Sequence, residues 1–366
     1  MKIAIVHDWL VTNAGAEKVL KEIVSLYPEA DIFSLVEFLS KEEKKVILND
    51  KEVKTSFIQK LPFSRKIFRN YLPYFIKAIE SFNLSKYDLI ISSSWAVAKG
   101  VKKNENQLHI CYCHTPVRYA WDLYDEYTSN LRGFKKKFVK KTLKKLQKWD
   151  LLTVNRVDHF IANSKFVSER IARTYGRESK VIYPPVDIDK FTYYHNKEDF
   201  YLTASRLVPY KKTKLIVKTF VNMPDKKLVV IGAGEEYKDI RKIAKDSPNI
   251  SILGFCKDEI MIKMMQKSKA FIYAAIEDFG IVPIEAMACG TPVIALNDGG
   301  TAETITDGIN GVHFNSQSSE DIVKAIKRFE TMNFDSRSIS KNAHIYSQKR
   351  FSREITNFVY SKLHKR

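Results

Sequence analysis

The chain has 366 residues, 45% of them hydrophobic and 28% charged, which is typical of a globular protein and excludes a disordered or fibrous one. The length suits two domains of ordinary size, and no apolar run approaches the ~20 residues that a membrane span requires. With 61 Lys and Arg residues against 42 Asp and Glu, the formal net charge of +19 indicates an anionic partner: nucleic acid, an anionic membrane surface or a phosphorylated small molecule.

Short apolar runs alternate with helical patterns along the chain, which predicts parallel α/β units. In the first half we predict strands at residues 3–7, 32–36, 88–92, 108–113 and 159–162. In the second half we predict strands at residues 200–204, 228–231, 250–253, 270–275 and 292–296. Helical patterns include residues 16–26 and 168–175, the latter closed by Gly176, and residues 351–366 at the end of the chain.

The domain boundary is predicted in a polar stretch without periodicity that contains Pro184 and Pro185. We therefore expect an N-terminal Rossmann-like domain at residues 1–182, a linker at 183–198, a second Rossmann-like domain at 199–348 and a closing helix at 349–366. Open α/β sheets bind ligands beyond the carboxyl ends of their strands, so functional residues are expected just after each strand.

Two segments of the first half concentrate positive charge among aromatic residues. Residues 132–148 carry nine basic residues and no acidic one, with apolar residues every three to five positions, which predicts a basic amphipathic helix. Residues 60–77 mix five basic with five aromatic residues. Each fits either a core-packed helix with a solvated basic face or docking on an anionic leaflet, where each Lys or Arg adds about 1 kcal/mol. The residues expected to dock are Arg65, Lys66, Lys136, Lys137, Lys140 and Lys141.

The strand ends of the first half present two candidates. Gly15 follows the first strand and precedes a helix, where backbone amides and the helix dipole favour an anion, although a plain tight turn fits as well. His114 follows the fourth strand, with Pro116 restraining the backbone after it, and could reach into a cleft; a structural histidine is the alternative.

In the second half, cations and glycines follow the ends of predicted strands. Arg206 and Lys211 follow a strand and suit phosphate oxygens, where they would oppose charge growing on a departing diphosphate; solvated surface cations are the alternative. Gly232 and Gly234 follow the next strand, in a pattern that an ordinary strand–helix turn also produces.

The strongest signal is residues 277–290, where a strand leads into a glycine loop and a helix predicted to begin near Pro283 and to end at Gly290. Glu285, in the predicted first helical turn, could accept two hydrogen bonds from a ribose diol, and Glu277 could reach a sugar hydroxyl. The alternative is that both carboxylates only complement the helix dipole.

These residues, in this order, resemble the signature of family-four retaining glycosyltransferases of the GT-B fold: Gly15, His114, Arg206 with Lys211, Gly232 with Gly234, and the two glutamates around Gly280. The resemblance covers nearly the whole chain. Residues 6–10, 112–122 and 181–187 look more specifically like bacterial O-antigen mannosyltransferases that use GDP-mannose. The fold implied is α/β, with two Rossmann-like domains facing across a cleft and a C-terminal helix crossing back to the first domain.

The resemblance also implies residue roles. Arg206, Lys211 and the backbone at Gly15, Gly232, Gly234, Phe279, Gly280, Ile281 and Val282 would meet the donor. Glu285 would bind its ribose and the backbone at Gly254 and Phe255 its base, while His114 and Glu277 would contact the transferred sugar. The chain departs from the family pattern at Ala14, where a second glycine is frequent, and at Lys212, where a glycine often follows the lysine.

The implied reaction transfers a hexose, expected to be mannose from GDP-mannose, with retention onto a lipid-linked glycan in O-antigen-type lipopolysaccharide synthesis. We expect no metal, because Asp187 and Asp189 lie in the linker, and strand alternation argues against Cys111, Cys113 and His114 converging. No leader pattern is visible, so we expect a peripheral protein at the cytoplasmic face of the inner membrane, with no nucleic-acid partner. A UDP-sugar donor, a nucleotide-sugar hydrolase or epimerase, and a non-catalytic module binding anionic surfaces remain alternatives.

Overall fold

The computed structural model describes residues 1–122, 124, 128 and 131–364, with the side chain of Lys135 outside the description. The chain divides into two compact units. The first comprises Met1–Pro184 together with Phe351–Arg366, and the second comprises Pro185–Arg350.

The first unit is built on a seven-stranded parallel sheet with the order β3-β2-β1-β4-β5-β6-β7. Its strands are β1 Ile3–His7, β2 Asp31–Ser34, β3 Val53–Thr55, β4 Leu89–Ser94, β5 Leu108–Cys113, β6 His159–Ala162 and β7 Ser179–Val181. Its helices are α1 Gly15–Leu26, α2 Lys41–Leu48, α3 Ser64–Ile67, α4 Phe75–Ile79, α5 Gly133–Leu152 and α6 Lys165–Tyr175. Every residue of β4 and β5 is buried, as expected for central strands covered on both faces.

The second unit has a six-stranded sheet with the order β10-β9-β8-β11-β12-β13, also parallel throughout the pairs described. Its strands are β8 Glu198–Ala204, β9 Leu228–Ile231, β10 Ile250–Gly254, β11 Ser268–Tyr273, β12 Val293–Leu296 and β13 Gly311–Phe314. Its helices are α7 Thr213–Val221, α8 Tyr237–Ile243, α9 Asp258–Lys267, α10 Ile281–Ala288, α11 Thr301–Thr304, α12 Ser319–Glu330 and α13 Ser336–Ala343. In each sheet, the second and third strands of the unit lie on one side of its first strand, and the later strands lie on the other side. This is the doubly wound arrangement of Rossmann-like folds.

The last helix, α14 Gln348–Leu363, returns to the first unit although it follows the second in sequence. Phe351, Ile355 and Val359 are buried in the same cluster as Ile5 of β1 and Tyr112 of β5. This contact explains the apolar periodicity of the segment, since each turn of α14 places one of these side chains against the sheet.

The buried side chains of the basic helix α5 lie in its C-terminal half. Leu146 and Trp149 are buried in a core cluster, whereas Phe134 is 84% exposed and Phe138 is also exposed. The predicted apolar stripe is therefore split between a packed part and a solvent-facing part.

Residues 60–77 form no continuous helix, so that part of the prediction is wrong. Short turns of 3-10 and α-helix replace it, because Phe63 adopts a left-handed φ of 54° and Pro73 lies inside the turn Phe68–Tyr74. Phe68 and Phe75 pack in the same cluster as Trp149 of α5, while Phe63, Arg65 and Lys66 are exposed.

Candidate active site

Consecutive neighbouring strands of the first sheet, β1, β4 and β5, end beside one another and position the first group of predicted residues. Asp8 follows β1, and its buried carboxylate accepts backbone N–H bonds of 2.6 to 2.9 Å from Trp95, Ala96, Val97 and Ala98 after β4. Burial raises the pKa of Asp8 and these hydrogen bonds oppose the rise. The effect is to tie the ends of β1 and β4 together.

Gly15 is the first residue of α1 and follows the N-cap residue Ala14. The N–H of Ala14 donates to Glu17 Oε2 at 3.0 Å, so a side chain of the first turn closes the loop back on itself. Glu17 is buried, and its other oxygen, Oε1, lies 3.9 Å from Nε2 of His7.

His114 lies just beyond β5, where 9% of its surface is exposed. Its Nε2 is 2.8 Å from Ser93 Oγ, which is in turn 3.1 Å from Nδ1 of His7. The rings of Trp95 and Tyr112 contact its imidazole edge-to-face at 5.6 and 5.1 Å. Burial lowers the pKa of His114 to about 3, so the ring is neutral at neutral pH.

In the second unit, the loops after β8 and β11 bring Lys211 and Glu277 together, with Nζ and Oε1 2.5 Å apart. Tyr273, the last residue of β11, accepts a hydrogen bond from the same Nζ at 3.1 Å. Burial on its own lowers the pKa of Lys211, but Tyr273 and Glu277 outweigh it and the pKa is raised. Lys211 is therefore a fixed cation. Arg206 is exposed and held by Tyr210, whose hydroxyl accepts from its guanidinium at 2.8 Å.

Gly232 and Gly234 pack against the loop that carries Arg206. A Cβ on Gly232 would lie 1.9 Å from Ser205 O, and one on Gly234 would lie 2.3 Å from Leu207 O. Leu207 N–H donates to Ala233 O at 2.9 Å, joining the two loops. These glycines thus position the Arg206 loop, a structural task that the sequence pattern did not reveal.

The helix α10 begins at Ile281, two residues before the predicted start, because Gly280 takes a left-handed φ of 87° at the N-cap. Glu285 is consequently in the second turn, and its predicted place in the first turn is wrong. The residue is 2% exposed. Ile281 and Val282 are partly exposed, whereas Phe279 is buried and contacts Tyr346 edge-to-face at 5.6 Å.

Gly254 ends β10 with a left-handed φ of 72°. The following Phe255 is 81% exposed, although its aromatic ring is large and apolar. An exposed ring at a strand's carboxyl end offers a flat surface to a planar ligand.

Sequence reasoning missed several residues that shape these sites. Gly299 and Gly300 lie against the backbone of Glu277 and Phe279, where a Cβ would come within 2.5 and 2.2 Å of their carbonyl oxygens. Tyr273, Ser93, His7 and Glu17 were also missed. Gly299 and Gly300 follow a predicted strand, which was a usable signal. The polar partners lie within strands or a helix, where the sequence pattern does not distinguish them from structural residues.

No three His, Cys, Asp or Glu side chains lie together where they could hold a metal ion in the part of the chain described. Two surface cavities of about 440 and 590 Å³ lie at the opposite, amino-terminal end of the first sheet, lined by residues such as Asp158, Arg177 and Lys362. Neither cavity includes a predicted site residue.

Comparison with known families shows what these two units are. The model described as Glycosyltransferase Family 4 matches residues 15–190, and that described as Glycosyl transferases group 1 matches residues 187–345. The chain belongs to the family-4 glycosyltransferases. The two matches overlap at residues 187–190, just after the boundary between the units. Together they cover the loops of Gly15, His114, Arg206, Lys211 and the two glutamates.

Relatives of this glycosyltransferase include several mannosyltransferases. The alpha-1,3/1,6-mannosyltransferase of Saccharomyces cerevisiae is 25% identical over 253 residues, 55% of this chain and 48% of its own length. The O-antigen chain mannosyltransferase of Salmonella typhimurium is 27% identical over 190 residues, 50% of this chain and 53% of its own. The aligned regions therefore span about half the length of these relatives or less.

Solved structures share the fold of this glycosyltransferase over its full length. Anabaena HepE, solved in complex with UDP, has a TM-score of 0.71 at 19% identity, covering 99% of this chain and all of that one. The lipopolysaccharide outer core galactosyltransferase WaaB has a TM-score of 0.68 at 16% identity over 99% of this chain and all of its own. The predicted GT-B fold class, with two Rossmann-like units, is confirmed.

Proposed function

We propose that the chain transfers a mannosyl residue from GDP-mannose, with retention of anomeric configuration, onto a lipid-linked glycan of a cell-surface polysaccharide. Family membership supports glycosyl transfer in general. Mannose is supported by relatives named as mannosyltransferases, among them a GDP-mannose-dependent enzyme of Corynebacterium glutamicum that is 36% identical over 115 residues, 28% of this chain and 30% of its own length.

The observation that carries the proposal is the cation pair beyond β8 beside the carboxylate beyond β11. Nζ of Lys211 lies 2.5 Å from Oε1 of Glu277, and Arg206 is exposed on the same loop as Lys211. In the transfer, the bond between sugar C1 and the diphosphate oxygen breaks and negative charge grows on the leaving group. Fixed cations at that point stabilise the departing charge without reorganising.

The acceptor hydroxyl attacks C1 from the face that the diphosphate leaves, and its proton passes to a phosphate oxygen of the donor. Glu277 would contact a sugar hydroxyl, Glu285 the ribose and His114 the transferred sugar. The backbone of Gly15 and of residues 279–282 would meet the donor, and Phe255 would lie against the base. The reaction needs no metal, because Arg206 and Lys211 supply the positive charge.

Acceptor binding is proposed for the basic segments of the first unit. Exposed Phe134 and Phe138 accompany Lys136, Lys137, Lys140 and Lys141 on α5, and exposed Phe63 accompanies Arg65 and Lys66. Aromatic rings among cations suit the interface of an anionic leaflet. No helix in the described residues has the length and apolar character to cross a bilayer, and we propose peripheral attachment at the cytoplasmic face.

Vesicle co-sedimentation tests this attachment. Exchange of Lys136, Lys137, Lys140 and Lys141 to Glu is expected to abolish binding to vesicles containing anionic lipid, because attraction becomes repulsion. The matched control exchanges four exposed lysines of the second unit, Lys218, Lys238, Lys245 and Lys263, to Glu. Equal loss in both variants would show that net charge alone matters and would refute docking through α5.

Calorimetry with a panel of nucleotide sugars tests the donor. Tight binding of GDP-mannose that is lost in Glu285→Ala and weakened in Glu285→Gln supports both the donor and the ribose contact. Thermal melts of both variants check that the buried site still folds. Preference for a UDP-sugar would overturn mannose, acceptor-independent release of nucleotide would favour a hydrolase or epimerase, and no nucleotide-sugar binding would favour a non-catalytic module.

A further inference from the structure

We propose that Glu17, His7 and Ser93 form a buried relay that fixes the tautomer of His114, leaving a lone pair on its Nδ1 for a hydroxyl of the transferred sugar. The sugar contact rests on the proposed function, whereas the relay itself does not. The three relay residues are positioning residues, because they act on the sugar through His114.

The four side chains form a continuous line inside the first unit. Nε2 of His114 is 2.8 Å from Ser93 Oγ, and Ser93 Oγ is 3.1 Å from Nδ1 of His7. On the other side of its ring, Nε2 of His7 is 3.9 Å from Glu17 Oε1. His7, Ser93 and Glu17 are buried, so water does not compete for these groups.

Glu17 determines which atom of each pair in the relay donates its hydrogen bond. The buried Nε2 of His7 has no hydrogen-bond partner in the described structure, and the carboxylate oxygen of Glu17 faces it. A proton on this nitrogen is attracted by the carboxylate, whereas a lone pair there would be repelled. In the neutral ring of His7 the proton therefore lies on Nε2, and Nδ1 is an acceptor.

The position of the His7 proton determines those of the Ser93 and His114 protons. The Ser93 hydroxyl donates to Nδ1 of His7, so Ser93 Oγ must accept from its other neighbour, Nε2–H of His114. His114 is left with a lone pair on Nδ1, and no hydrogen bond in the described part of the chain engages that atom. The edges of Trp95 and Tyr112 hold the ring plane in place.

The substitution Glu17→Gln is expected to reverse the direction of each hydrogen bond in the relay. The oxygen at the Oε2 position must accept the N–H of Ala14, as it does now, so the amide nitrogen would occupy the Oε1 position. That nitrogen donates to Nε2 of His7, which moves the proton of His7 to Nδ1. Ser93 then donates to Nε2 of His114, and Nδ1 of His114 becomes a donor.

Nitrogen-15 NMR of histidine-labelled, ligand-free protein reads these tautomers directly, with the His114 signals assigned by their loss in His114→Gln. We expect the Nε2–H tautomer of His114 in the wild type and the Nδ1–H tautomer in Glu17→Gln. A wild-type Nδ1–H tautomer, or the same tautomer in both proteins, would overturn the relay. This measurement needs no donor or acceptor.

Turnover tests the consequence at the sugar. Glu17→Gln and Ser93→Ala are expected to lower kcat by about tenfold or more while the donor KM changes little, as supporting partners of functional groups commonly do. Ser92→Ala is the matched control, because Ser92 is on the same strand as Ser93 and equally buried. Its Oγ lies 2.8 Å from Nε2 of His109, which is outside the relay. Its kcat should equal that of the wild type.

Failure of the relay and failure of the proposed function would give different results. An unchanged kcat in Glu17→Gln, despite the reversed tautomer, would overturn the role of the relay in transfer. Absence of turnover with every nucleotide sugar in the wild type would instead refute the proposed function, while the NMR result would still decide the relay.

Discussion

Lys211 and Glu277 illustrate how opposite charges on two loops can serve binding and turnover separately. Lys211→Met should weaken nucleoside diphosphate binding by about 3 kcal/mol, because it removes a cation and leaves Glu277 without its partner. Glu277→Gln should bind the diphosphate at least as well, since a negative charge is lost, but should turn over poorly. Calorimetry and initial rates measure both effects.

The control for this pair is Lys214→Met, three residues away. Lys214 forms ion pairs with the buried Glu236 and the exposed Asp239, at 3.1 and 2.6 Å. Its loss should leave diphosphate affinity unchanged. Wild-type affinity in Lys211→Met would contradict the assignment of Lys211 to the diphosphate.

Lys212 occupies a backbone conformation that favours glycine. Its φ is 57°, and it is the N-cap residue of α7. Glycine adopts this left-handed geometry without steric cost. Lys212→Gly should raise the free energy of unfolding by about 1 kcal/mol, as relief of left-handed strain exceeds the entropy cost of glycine. Urea titration measures the change.

Lys218→Gly supplies the comparison, because Lys218 is exposed and lies in the last turn of the same helix. There the exchange should lower the free energy of unfolding by about 1 kcal/mol. A loss of similar size at Lys212 would show that the left-handed backbone carries no strain.

At the scale of elements, tight glycine contacts fix the loops that carry charged residues. Gly232→Ala would force a Cβ to 1.9 Å from Ser205 O and should displace the Arg206 loop, lowering both stability and diphosphate affinity. Gly176→Ala meets nothing within 4 Å at a φ of 62°, so it should cost only about 1 kcal/mol of stability. Equal diphosphate affinity in the two variants would refute the positioning role.

The central strands were predictable from sequence because burial on both faces gives uninterrupted apolar runs. The predicted strands at residues 3–7, 108–113, 159–162 and 228–231 agree with the structure residue for residue. The missed strands are short. Both β3 and β7 are three-residue edge strands with a lysine in the middle, and β13 begins with a glycine, so none shows a strand pattern.

Helix starts were less predictable, since they depend on backbone conformation. The helix α6 begins at Lys165, earlier than expected, because Ser164 Oγ accepts the N–H of Val167 at 3.0 Å. Similarly, the left-handed Gly280 starts α10 at Ile281, two residues before the predicted start, which places Glu285 in the second turn. The strand-end loops were visible in sequence, but some polar partners lie far along the chain from the residues that they contact, as Ser93 does from His114 and Tyr273 from Lys211.

At the scale of the whole molecule, two buried histidines make stability depend on pH. Burial lowers the pKa of His109 to about 4 and that of His114 to about 3, from an ordinary 6.5 in the unfolded chain. Between these values the unfolded chain binds more protons than the folded one. The free energy of unfolding should therefore fall by about 1.4 kcal/mol per histidine for each unit that pH drops below ~6.5.

Urea titrations between about pH 5 and pH 7 measure this slope. The variant His114→Gln should show a shallower slope than the wild type, because one of the two protonation penalties is gone. Equal slopes would mean that His114 titrates normally in the folded state.

The return of α14 to the first sheet also sets the order in which a newly made chain can fold. Phe351, Ile355 and Val359, which close the core around Ile5 and Tyr112, are synthesised after the whole of the second unit. The second unit is a single continuous segment that is synthesised before them. Domains usually mature in the order of translation. Here the first unit begins before the second and is completed after it, so its apolar face stays uncovered until α14 has been made.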